Sequence, residues 1–197
     1  MTPDKARVAV LISGRGSNMA ALIEAARDPT CPFAVALVIS NVPDAPGLTI
    51  ARAAGIATVA RPHQGLKRAD FDAWIEEQLR AANIEWVALA GYMRLLSPGF
   101  IAGRAGRIVN IHPSLLPAYK GLDTHQRAID AGDTRAGCSV HVVTAALDDG
   151  PVIAQAEVPI HPGDTADSLA ARVLIEEHKL YPRALAAHIA AARPDQP

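Results

Sequence analysis

Short apolar runs alternate along this chain with longer segments whose apolar residues recur every three to four positions. "RVAVLIS" predicts a first strand, and "SNMAALIEAARD" a helix after it, with Met19, Leu22, Ile23 and Ala26 on one face. "FAVALVIS" predicts a second strand, "GLTIARAAG" a short helix ending on Gly55, and "IATVA" a third strand. In "RADFDAWIEEQLRAAN", Phe71, Trp74, Ile75 and Leu79 follow helical spacing. "WVALAG" and "RIVNIH" predict two more strands, apolar on both faces, as in a sheet covered on both sides. Such alternation implies an α/β fold: a mostly parallel, Rossmann-like sheet with right-handed crossovers and helices on both faces. "CSVHVVTA" and "PVIAQAEVPI" alternate more strictly around a loop and predict an antiparallel C-terminal extension. The stretch 164–193 predicts a helix capped at Asp164 or Thr165 and kinked or divided at Pro182, and "PDQP" a frayed end. With no repeat or linker, residues 1–197 are expected to form a single domain.

Composition narrows the function classes. Hydrophobic residues at 50% and charged residues at 20% exclude extensive disorder, and aromatics at 4% leave an aliphatic core. A net charge of −1 gives no reason to expect nucleic acid or an anionic membrane as partner. The N-terminal apolar run, "VAVLI", is too short for a signal peptide, and "FAVALVI" falls far below the roughly 18 residues of a spanning helix, so a cytoplasmic protein is expected. Cys31 and Cys138 fit no Cys-x-x-Cys pattern and read as buried thiols. The seven histidines lack His-Glu-x-x-His or other short ligand spacing, so no metal is expected.

Three stretches carry candidate chemistry. "SGRGSN" lies between the first strand and the first helix, where backbone N–H groups and the helix dipole suit phosphate. A tight turn is the plain alternative. A dinucleotide fingerprint would need glycine in place of Met19 and an acid near Ser40 and Asn41, and a Walker A loop would need a glycine-lysine pair. A small phosphate monoester held by Gly16, Ser17 and Asn18 remains. In "NIHPSLLP", residues 110 to 117, strand alternation projects Asn110 and His112 to one side, and Pro113 ends the strand. Both polar groups thus stand at the carboxyl end of a central strand, where open α/β sheets bind ligands. Asn can donate to an oxyanion, and His can donate a proton or polarise a carbonyl. Leu116-Pro117, where the loop must turn sharply, is expected to be cis. In "LDDGP", Asp148 is either a solvated turn carboxylate or a third member of the site. No Gly-x-Ser-x-Gly elbow competes with this set.

"NIHPSLLP", then "GLDTH", "SVHVVT" and "LDDGPVIAQ", resembles the glycinamide ribonucleotide formyltransferase family, and the similarity runs from "VLISGRGSN" through "LAGYMRLLSP" to "RVLIEEHKLYP". The resemblance implies transfer of a formyl group from 10-formyltetrahydrofolate, as cosubstrate, to the amine of glycinamide ribonucleotide in purine biosynthesis. It implies Asn110, His112 and Asp148 as catalytic residues, with Gly16, Ser17, Asn18 and Glu177 on the ribonucleotide. Arg68, Met93, Arg94, Leu95 and Leu96 would contact the folate, with Asn110 and the loop leading into Asp148. The phosphate-binding half would extend to about residue 105 and the catalytic half over about 106–193. Asp123 departs from the family's usual histidine and leaves His125 as the substrate-side histidine.

Reading and resemblance agree on direct transfer. Amine attack on the formyl carbon gives a tetrahedral oxyanion, stabilised by Asn110 and protonated His112, with Asp148 favouring the imidazolium. Methionyl-tRNA formyltransferase and formyltetrahydrofolate hydrolase share "HPSLLP" but carry further domains, and a noncatalytic phosphate-ligand module is the alternative from another class. Small-molecule substrates, without nucleic acid or membrane, are the expected partners. The oligomeric state stays open, a homodimer being one reading.

Overall fold

The computed structural model describes residues 5–193, so the expected frayed end "PDQP" lies outside the described residues. Five strands, β1 (Ala6–Ile12), β2 (Phe33–Ser40), β3 (Ala57–Ala60), β4 (Trp86–Leu89) and β5 (Ile108–His112), pair in parallel. β6 (Arg135–Val142) and β7 (Val152–Pro159) add to them antiparallel, giving one sheet in the order β3-β2-β1-β4-β5-β6-β7. The helices are α1 (Ser17–Ala26), α2 (Pro46–Ala53), α3 (Arg68–Ala81), α4 (Pro98–Gly103), α5 (Thr124–Asp130) and α6 (Ala166–Ala191).

Alternation along β1 shows why both faces are covered. Val8, Val10 and Ile12 pack with Met19 and Leu22 of α1 and Leu169, Val173 and Leu185 of α6. Ala9 and Leu11 pack instead with Phe71, Ile75 and Leu79 of α3. The strand order reverses between β1 and β4, which opens a crevice beyond their carboxyl ends. Gly47 at the start of α2 seals the loop after β1: its N–H donates to the Gly14 carbonyl at 3.0 Å, and a Cβ there would meet Ile12 at 2.6 Å. The loop after β1 is therefore braced from behind by backbone.

α6 is not divided at Pro182. The ring removes one bond of the helical ladder, yet the helix starts on a capping box between Thr165 and Ser168 and buries Tyr181, Ala184, Leu185 and Ile189 around the proline. The Tyr181 hydroxyl lies 3.0 Å from the carbonyls of both Leu89 and Val109 and ties the helix to β4 and β5. Packing over this length outweighs the lost bond. α4 and α5 were not expected. α4 begins on Ser97, whose hydroxyl accepts from the Phe100 N–H at 3.3 Å, whereas α5 has no side-chain cap. The Leu116-Pro117 peptide is cis, as expected. Cys138 is a buried free thiol pushed up to about 12 by its burial, and Cys31 is half-buried and also free.

Candidate active site

Asn110 and His112 leave β5 toward the crevice, while Val109 and Ile111 join the opposite core. Pairing with β6 sets Asn110 opposite His141 and His112 opposite Ser139. The Asn110 amide nitrogen lies 3.1 Å from Nε2 of His141, whose Nδ1 lies 3.1 Å from the Val142 carbonyl. A carbonyl can only accept, so Nδ1 of His141 carries the proton and Nε2 receives the Asn110 N–H. Burial holds His141 below the usual imidazole range, which keeps this tautomer neutral, against the bond to Val142 and the nearby Asp148 charge. The orientation of the Asn110 amide follows, with its second N–H left over. His141 was not singled out in the sequence. Its signal is the alternation in "CSVHVV", which puts Ser139 and His141 on one face.

His112 is gripped on both sides. Nε2 lies 3.0 Å from the Tyr119 carbonyl, and Nδ1 lies 3.4 Å from Oδ2 of Asp148. With Nε2 donating to a carbonyl, a neutral ring would turn its Nδ1 lone pair toward a carboxylate, whereas an imidazolium presents an N–H to each partner. Asp148 stands in the left-handed backbone region at φ 47°, its Oδ2 accepting from the Gly121 N–H at 2.9 Å and its Oδ1 3.7 Å from His141 Nε2. Gly150 closes this turn against β6, since a Cβ there would meet the Val142 carbonyl at 1.8 Å. The three residues singled out from sequence therefore share one cluster, with the carboxylate brought in from a loop 36 positions beyond His112.

Two cavities meet at that cluster. The larger, about 680 Å³, is bordered by Asn18, Met93, Leu95, His125 and Glu177, and the smaller, about 170 Å³, by Arg68, Leu96 and the 143–146 segment. Asn110, Asp148 and Arg94 face both. Of the "SGRGSN" loop, Asn18 lines the larger cavity, while Gly16 and Ser17 stand half-exposed behind it at the start of α1. Gly16 is left-handed at φ 74°, and a Cβ on it would meet Gly47 at 3.0 Å. The first N–H groups of α1 have no partner within the helix. A bound phosphate or sulfate is expected within hydrogen-bond distance of the Ser17 or Asn18 N–H, and a substrate complex placing it elsewhere would refute this use of the loop. Among the described residues Arg94 pairs with no acid: it donates to the Leu66 carbonyl at 3.2 Å and lies 5.0 Å from the Phe71 ring, with Nε buried and without a partner there. Nε2 of His125 is likewise buried without such a partner.

Glu177 lies in the apolar stripe of α6 between Val173 and Tyr181, and this break in the stripe is its sequence signal. Its Oε2 accepts from the Asn18 amide at 2.6 Å. Burial raises its carboxyl above the usual range, opposed by that bond and by His112. A raised folded-state value means that charge is disfavoured in the fold above it and costs nothing below the unfolded value. Glu177→Gln is thus expected to raise the melting temperature at pH 8, with the gain vanishing by about pH 4, the ordinary carboxylate range. Thermal melts across that range check it. A melting temperature unchanged or lowered at pH 8 would contradict it.

The sequence pattern of formyl transferases matches residues 6–185. The chain belongs to that family. Among formyl transferases, phosphoribosylglycinamide formyltransferase of Escherichia coli strain K12 is 48% identical over 178 residues, covering 89% of this chain and 83% of that protein. The trifunctional purine biosynthetic protein adenosine-3 of Bos taurus is 47% identical over 93% of this chain, which spans only 18% of that protein's length. The crystal structure of phosphoribosylglycinamide formyltransferase from Brucella melitensis superposes with a TM-score of 0.90 at 51% identity, over 95% of this chain and 97% of that one. No helix among the described residues is long and apolar enough to cross a membrane, and none of their acidic, histidine or cysteine side chains group to hold a metal.

Proposed function

We propose that the protein transfers the formyl group of 10-formyltetrahydrofolate to the amine of 5'-phosphoribosylglycinamide, giving formylglycinamide ribonucleotide in de novo purine biosynthesis. The observation that carries this is the junction of two cavities at Asn110 and Asp148, with His112 lining the larger, which lets two substrates meet at one set of proton-bearing groups. The larger cavity, reaching Asn18 and Glu177, takes the ribonucleotide, with its phosphate on the N–H groups of Gly16, Ser17 and Asn18. His125 faces the same substrate, and the exposed Asp123 borders that cavity beside it. The folate lies along Met93, Arg94, Leu95 and Leu96 with Arg68 at its far end. Met93, Leu95 and Leu147 are large apolar side chains exposed at this rim, the surface a flat ring would cover.

The chemistry is one displacement. The amine nitrogen bonds to the formyl carbon, the bond from that carbon to the folate nitrogen breaks, and the amine proton passes to the departing nitrogen. Nε2 of His112 is committed to Tyr119, so the second N–H of Asn110 makes the direct bond to the oxyanion, and the imidazolium adds its charge beside it. Asp148 holds that charge in place and receives and returns the proton through water. The first half of the chain, to about residue 105, holds the phosphate and the second supplies this machinery. The protein acts on small molecules in the cytoplasm, and its net charge of −1 offers nothing to nucleic acid.

The test is folate release from 10-formyltetrahydrofolate with and without glycinamide ribonucleotide. Release that requires the amine supports transfer; release without it would make the protein a hydrolase, and binding without release a ligand-binding module. Arg94→Ala is expected to raise the folate KM about tenfold and the ribonucleotide KM by less than twofold, as loss of one guanidinium contact would. Equal rises in both would make Arg94 a brace of the cleft wall.

A further inference from the structure

Residues 119–122 supply two of the contacts that shape the His112–Asp148 pair. The Tyr119 carbonyl takes Nε2 of His112 at 3.0 Å, and the Gly121 N–H gives to Oδ2 of Asp148 at 2.9 Å. These are the two adjacent peptide groups that flank the Lys120 Cα, so any displacement of the loop moves both partners of the pair together. The loop cannot hold this shape unaided. Tyr119 adopts φ 54°, a left-handed conformation in which a bulky side chain is strained, and something outside the loop must maintain it.

Most of that support comes from α5. Nη1 of Arg127 donates to the Lys120 carbonyl at 2.7 Å and the Leu122 carbonyl at 3.2 Å, and its guanidinium lies over the Tyr119 ring at 5.3 Å. The Tyr119 hydroxyl donates to Asp133 just beyond the helix at 2.6 Å. Across the cleft, the Lys120 ammonium pairs with Asp149, next to Asp148. Arg127 is exposed and borders neither cavity, so it has no access to substrate.

We propose that Arg127 is a positioning residue for formyl transfer, acting on His112 and Asp148 through the backbone of 119–122. This rests on the catalytic role assigned to that pair above. A planar fork that binds two carbonyls while stacking on a ring is not replaced by an ammonium.

The experiment measures single-turnover transfer, both KM values and thermal melts for Arg127→Met and Arg127→Lys, each in the wild-type and Asp148→Asn backgrounds. Arg127→Met is expected to slow transfer about tenfold with both KM values within about twofold, and Arg127→Lys to recover only part of the rate. In the Asp148→Asn background the same change should cost less than about twofold, because the group it positions is already disabled. A merely structural arginine would cost the same in both backgrounds, and that result would overturn the proposal, as would a wild-type rate changed less than twofold. If Arg127→Met melts below the assay temperature, Arg127→Lys in the two backgrounds decides by the same criterion. A slow Asp148→Asn with a normal Arg127→Met would remove this inference alone. A normal Asp148→Asn would remove the functional reading, and this inference with it.

Discussion

Asp148→Asn is expected to lower the single-turnover rate of formyl transfer by on the order of 10²-fold or more, the range for a positioned acid-base group. The substitution keeps an oxygen that can accept from the Gly121 N–H, at 2.9 Å in the native protein, so the turn should survive. It removes the charge that faces Nδ1 of His112 at 3.4 Å, and with it the partner that suits an imidazolium. Both substrates should still bind, since the rest of each cavity's lining is unchanged. His112→Ala should be at least as damaging. The double variant should lose far less than the product of the two single losses, because groups acting as a unit are not additive. Near-wild-type transfer by Asp148→Asn, with binding measured separately, would return Asp148 to ordinary turn chemistry.

Asn110→Ala should cost a further class of stabilisation, the direct hydrogen bond to the oxyanion, worth about 10²- to 10³-fold in kcat when one such donor is removed. Asn110→Asp separates this from a packing effect. It is isosteric, but it offers only acceptors, and it would set a carboxylate against the unprotonated Nε2 of His141, 3.1 Å away in the native protein. Both variants should lose kcat with KM values changed by less than about fivefold, and Asn110→Asp should be no better than Asn110→Ala. An active Asn110→Asp would show that shape, and not the N–H, is what the reaction requires. Removal of the amide also leaves His141 Nε2 buried without a donor, so a modest loss of stability, about 1 kcal/mol, should accompany the kinetic effect.

The site was legible where chemistry coincided with a strand end. Asn110 and His112 stand at the last positions of β5 before a proline, and period-two alternation alone puts them on one side. Asp148 was ambiguous, because "LDDGP" reads as an ordinary turn and its approach to His112 depends on how β6 and β7 return to the sheet. His141 went unassigned for a related reason. Its pairing with Asn110 is a matter of register between two strands, and one residue's slip would turn it to the opposite face. Glu177 came from resemblance alone, although a carboxylate in the stripe Leu169, Val173, Tyr181 is a visible break in the pattern.

The main elements of the fold follow from periodicity, which is local: apolar runs a few residues long for strands, and three-to-four spacing over two or more turns for helices. α4 and α5, of six and seven residues, fall below the length at which local propensity sustains a helix, and they exist because α4 buries Phe100 and α5 buries Thr124 and Ala128. Pro182 shows the converse, a local break signal overruled by the packing of one face over 26 residues. The left-handed backbone of Tyr119 was equally invisible, since tyrosine does not favour it and contacts from α5 hold it. Which strand carries the polar pair is thus written in the alternation along the chain. Which carbonyl holds His112 and which N–H holds Asp148 is settled in three dimensions, because a backbone group has no sequence signature and acquires its role only from where the chain around it is folded.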